Sequence, residues 1–92
     1  MDLKERFLKY VSYDTQSDEN STTFPSTEKQ KVLLAALRDE MEALGMTEMT
    51  MDQYGYVMGT IPATAGCGNA PVIGFIAHVD TSPDMSGKDV KP

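Results

Sequence analysis

Cysteine, basic residues and long apolar runs are all scarce in this chain. A single cysteine, Cys67, excludes an internal disulfide framework and points to a reducing, cytoplasmic compartment. Eight Lys and Arg stand against 14 Asp and Glu, a net charge of −6. The basic residues form no stripe, which argues against a surface for nucleic acid. The longest mainly apolar stretch, Pro71 to Ala77, is far too short to span a bilayer, so no membrane partner is expected. The opening residues, MDLKERFLKY, are charged and helix-like, unlike the basic start and apolar run of an export signal. Without such a signal, Asn20-Ser21-Thr22 reads as a chance match to a glycosylation site in a polar loop.

What remains is an ordinary globular composition, 40% hydrophobic and 24% charged over 92 residues. That length fits one small domain, marginally stable alone. Asp2 and Glu5 have capping-box spacing ahead of Leu3, Phe7, Leu8 and Val11, which fall on one helical face. Tyr13 to Pro25 is polar and reads as a loop. A second helix is expected from a cap at Ser26 or Thr27, the latter paired with Gln30. Its stripe is Leu33, Leu37, Met41 and Leu44 with Ala36, and Gly45 ends it. Met46–Met51 and Tyr56–Ile61 read as a hairpin around Asp52-Gln53-Tyr54-Gly55. The methionines at 41, 46, 49, 51 and 58 are expected to pack a core.

Ala63 to Asn69 is a Gly-rich loop, and Val72-Ile73-Gly74-Phe75-Ile76-Ala77 then reads as a strand buried on both faces at the centre of a sheet. Two helices, a hairpin and a buried central strand give an α/β sandwich that is incomplete, because the hairpin covers one side of the strand and nothing covers the other. The chain is expected to continue in its natural protein or to pack against another copy.

Chemistry concentrates in Phe75-Ile76-Ala77-His78-Val79-Asp80-Thr81-Ser82-Pro83-Asp84. Strand alternation would put His78 and Asp80 on one face at the strand's end, where sites collect in open α/β sheets. A metal-binding histidine needs its second ring nitrogen held, commonly by a carboxylate, and Asp80 is placed to hold it. The bland alternative is a structural histidine that only satisfies hydrogen bonds. Other candidates carry less. Gly66-Cys67-Gly68 precedes a strand rather than a helix and is a flexible connection, not a phosphate loop. Nothing marks Cys67 as an activated thiol. Ser82, before Pro83, is a turn residue.

IAHVDTSPD resembles the first metal-ligand motif of the co-catalytic zinc aminopeptidases and acylases, most closely its peptidase T (tripeptide aminopeptidase) form. FLKYVSYDTQSDE, FPSTEKQ with the later LGM, DQYGYVMGTIPA and SPDMSGKDVKP are similar to the same family in the same order. The resemblance implies that His78 binds one of two zinc ions. It implies that Asp80 is the aspartate counted as catalytic, supporting that histidine without binding metal. It implies hydrolysis of the first peptide bond of tripeptides by zinc-activated water, with small peptides as partners and a homo-oligomer compatible with the family. Residues 1–92 would then be the N-terminal segment of a catalytic domain whose other ligands, general base and any dimerisation domain lie elsewhere, and the segment alone would be inactive. Two alternatives stay open: a non-catalytic α/β fragment or pseudoenzyme that binds a partner, and a related zinc acylase or dipeptidase.

Overall fold

Two helices, α1 (Leu3–Val11) and α2 (Gln30–Ala43), precede two strands, β1 (Thr47–Met51) and β2 (Val57–Thr60), in a computed structural model describing all 92 residues. The class is α/β. The capping box at α1 forms as the sequence predicts. Asp2 Oδ1 accepts from the Glu5 N–H at 2.8 Å and Glu5 Oε2 accepts from the Asp2 N–H at 3.1 Å. The apolar face of α1 is nevertheless uncovered, with Leu3, Phe7 and Leu8 exposed. The helix is tied to α2 by Arg6 Nε and Lys9 Nζ, each 3.8 Å from Glu40 Oε1. Loose pairs of this kind contribute little stability. Burial beside that carboxylate pushes the Tyr10 phenol above its usual range.

The start of α2 corrects the expected cap. The helix begins at Gln30, after Lys29, and no side chain caps it. Ser26 and Thr27 sit in a preceding turn, and Gln30 Nε2 reaches back to their hydroxyls at 3.2 and 2.9 Å. Thr27 Oγ1 is therefore an acceptor for Gln30 and a donor to the Gln16 carbonyl at 2.9 Å, so it serves the 13–25 loop rather than the helix end. The C-terminus follows expectation. Gly45 has φ +93°, its N–H donates to the Glu42 carbonyl at 3.0 Å, and the Met46 N–H donates to the Met41 carbonyl at 3.1 Å. That pair of bonds is a Schellman motif.

Helix α2 packs over both strands of the antiparallel hairpin. Register is Thr47 to Thr60, Thr50 to Met58 and Met51 to Val57, with a bulge between Thr47 and Thr50 where Glu48 takes φ +53°. Asp52 fixes the turn by accepting from the N–H groups of Tyr54 and Tyr56 at 2.9 and 3.0 Å. The hairpin turn brings Gly55 under α2. A Cβ there would lie 2.9 Å from Leu34 Cδ1, and φ is +83°. This contact helps to bury Leu34, which with Leu33 forms the buried core, while Leu44, expected on the apolar stripe, is the exposed cap. Met41, Met46 and Met49 gather over Gly59, as a core role requires. Met58 does not: it alternates with Val57 and Gly59 and projects from the opposite, open face of the hairpin.

The expected central strand is absent. Residues 71–79 form no strand, and Val72, Phe75 and Ile76 are exposed, Ile76 completely. A buried strand must hand its backbone N–H and C=O groups to neighbours on both sides. Here β1 and β2 pair only with each other. With no flanking strand to pair with, this apolar segment stays uncovered. The consequence is visible in the whole molecule. Its radius of gyration is 15.5 Å, against about 12 Å for a compact domain of this length. It exposes 7347 Å², against about 5,300 Å² for a compact chain of its mass.

Candidate functional site

Residues 78–87 are held by a strap formed from residues 14–17, which the sequence marked only as a polar loop. The Thr81 N–H donates to the Thr15 carbonyl at 3.1 Å and the Ser17 N–H donates to the Thr81 carbonyl at 2.9 Å, a short parallel bridge. Side chains reinforce it. Thr15 Oγ1 donates to the Val79 carbonyl at 2.8 Å, Ser17 Oγ to the Thr81 carbonyl at 2.8 Å, and Gln16 Nε2 to the Pro83 carbonyl at 2.9 Å. The strap is in turn anchored to the turn before α2. Lys29 Nζ lies 2.9 Å from Asp14 Oδ2, and Thr27 bonds Gln16. The Lys29 ammonium, followed by the Gln16 backbone N–H, holds the Asp14 carboxyl below its usual range.

On this support His78 and Asp80 come together. His78 Nδ1 is 2.9 Å from Asp80 Oδ1. The pairing expected from strand alternation is present, though no strand carries it; the strap holds the backbone at Val79 and Thr81, on either side of Asp80. The His78 side chain is 85% exposed and that of Asp80 43%. With Nδ1–H donated to the carboxylate, the imidazole presents the Nε2 lone pair outward. This is the donor arrangement of a metal-ligating histidine with its orienting carboxylate. The ring sits on the rim of an open, largely apolar hollow of about 640 Å³ that also touches Tyr10, Leu33, Leu37, Met85 and Val90.

A zinc site needs more than this. Structural and catalytic zinc takes three or four protein ligands, and no group of three His, Cys, Asp or Glu side chains is assembled in the chain. Asp84, beyond Pro83, is not drawn in; its N–H is bonded by Ser82 Oγ at 3.2 Å, which confirms Ser82 as a turn residue. Cys67 is an exposed free thiol in a loop of two consecutive turns. The residues present therefore fit one ligand and its support, and no complete centre.

Sequence reasoning did not single out Thr15, Gln16, Ser17 or the Asp14–Lys29 pair. A signal existed. A Ser/Thr-rich stretch beside a helix cap offers several short hydroxyl donors, but their acceptors lie far away in sequence and only the fold reveals them.

No family model matches the chain. Individual relatives do. It is 55% identical over 92 residues to a peptidase T of Parabacteroides distasonis, covering 100% of this chain and 22% of that protein. It is 57% identical over 88 residues to a peptidase T of Caldanaerobacter subterraneus subsp. tengcongensis, covering 96% of this chain and 21% of that protein. A peptidase T of Clostridium novyi is 54% identical over 87 residues, covering 95% of this chain and 21% of its own length. The chain thus spans about a fifth of the length of the curated relatives it matches. All 92 residues of this chain match the peptidase T family, over about the N-terminal fifth of its members' length.

Proposed function

We propose that this chain supplies part of the catalytic domain of a zinc-dependent aminopeptidase that removes the N-terminal residue of tripeptides. The observation that carries the reading is the 2.9 Å His78–Asp80 pair, outward-facing and strapped in place, within a sequence that follows peptidase T throughout. In this reading His78 Nε2 donates to one of two zinc ions, and Asp80 accepts the Nδ1–H, fixing the tautomer and the orientation of the ring. Zinc, when bound, polarises a peptide carbonyl and makes water a nucleophile near neutral pH. The remaining ligands and the general base belong to the part of peptidase T that this chain does not match. A single ligand cannot hold a catalytic zinc, so residues 1–92 alone hydrolyse no peptide. Small peptides are the substrates in this reading, and oligomerisation is left to a separate domain. No helix is long and apolar enough to cross a membrane. A cytoplasmic setting is proposed, supported by the exposed free thiol of Cys67.

The test is a chimaera in which these 92 residues replace the matched stretch of the Parabacteroides distasonis peptidase T. The zinc-loaded chimaera is expected to cleave trialanine, and His78→Ala to lose both turnover and bound zinc. A His78→Ala chimaera that keeps its zinc and its turnover defeats the assignment. A chimaera that folds but cleaves nothing favours the non-catalytic binding module.

A further inference from the structure

Thr15 is the most deeply buried residue of the chain, 3% exposed, although it lies in a polar loop and carries a hydroxyl. Its bonds are specific. Oγ1 donates to the Val79 carbonyl at 2.8 Å, and its own carbonyl accepts from the Thr81 N–H at 3.1 Å. The first bond holds the peptide plane entering Asp80; the second holds the plane leaving it. Those two planes define the φ and ψ of Asp80, and hence the direction in which its side chain leaves the backbone. Asp80 Oδ1 in turn sets the orientation of the His78 ring. No strand ladder does this work, because residues 71–79 have no neighbouring strand.

We infer that Thr15 is a positioning residue for the metal-binding histidine, acting through the backbone on either side of Asp80. The inference rests on the zinc reading of His78 given above. A valine at position 15 keeps the volume and the backbone bond but removes the hydroxyl, leaving the Val79 carbonyl without its donor. A serine keeps the hydroxyl. Loss of an outer partner of a metal ligand typically lowers metal affinity by about 10–100-fold.

The experiment uses the same full-length chimaera and measures the zinc equivalent that His78→Ala removes, by competition with a chromophoric chelator, and the absorption spectrum of the cobalt(II)-substituted protein. Thr15→Val is expected to weaken that zinc measurably, by no more than the factor of about 10–100 that loss of the ligand's direct partner costs, and to alter the cobalt spectrum. Thr15→Ser is expected to restore both. Thr15→Val with wild-type zinc affinity overturns the assignment, as does Thr15→Ser behaving like Thr15→Val. If Thr15→Val and Thr15→Ala both fail to fold while Thr15→Ser folds, the hydroxyl is a general fold determinant and the positioning role falls. The two levels separate cleanly. If His78→Ala loses zinc and Thr15→Val does not, only the role of Thr15 is lost. If His78→Ala loses none, the metal reading fails and this inference with it.

Discussion

Removing the Asp80 carboxylate should separate orientation from stability. The His78–Asp80 pair is short, 2.9 Å, but its side chains are 85% and 43% exposed. An exposed pair contributes at most about 1 kcal/mol to folding, so Asp80→Ala should leave the melting temperature of the peptidase T chimaera nearly unchanged. Its effect on the site should be larger. Without the acceptor on Nδ1–H, the imidazole loses its fixed tautomer and rotates freely, a loss of about 10–100-fold, equivalent to about 1.4–2.7 kcal/mol. Because Asp80 is assigned no direct bond to metal, turnover of trialanine should fall further than the zinc content measured by atomic absorption. Asp80→Asn, whose amide oxygen can still accept from Nδ1–H, should recover part of the loss. Equal loss of zinc and turnover would put Asp80 among the metal ligands and refute the reasoning; unchanged turnover would remove it from the site.

Two further outcomes test the scaffold. Gly55→Ala places a Cβ at φ +83° and 2.9 Å from Leu34 Cδ1, so it should destabilise the chimaera by about 1–3 kcal/mol in urea, whereas Gly74→Ala, with nothing within 4 Å, should be near neutral. The Asp14 carboxyl should titrate by NMR below the ordinary value of about 3.9. Its folded pKa is depressed, so its contribution is complete above that value and is lost as the pH falls through the folded pKa; Lys29→Met should return the midpoint towards normal.

Local signals in the sequence translated well. Asp2 and Glu5 close a capping box, Gly45 ends α2, and Asp52 to Gly55 turns the hairpin, because each depends on residues a few positions apart. Errors arose where the deciding partner is remote. Thr27 looked like a helix cap but bonds Gln16 instead. Leu44 fits the helical stripe but has no element beneath it, while Leu34 is buried by the turn at Gly55. Residues 72–77 carry the composition of a central strand, yet composition supplies no hydrogen-bonding neighbour. At the site, His78 and Asp80 were legible as a motif. The strap that brings them together was not, since Thr15 and Val79 are 64 positions apart.

That separation has a consequence for how the molecule assembles. Closing a loop of 64 residues lowers chain entropy by an amount worth about 4 kcal/mol. The clasp between residues 15–17 and 79–83 comprises two backbone and three side-chain hydrogen bonds, and at about 0.5–1.5 kcal/mol each they return a similar amount. The cost of closing the loop and the return from its bonds are of the same order, so loss of a single bond of the clasp should weigh heavily on whether it stays closed. Under the zinc reading, an ion captured only by the closed form would favour that form, so metal uptake would be coupled to closing of the clasp.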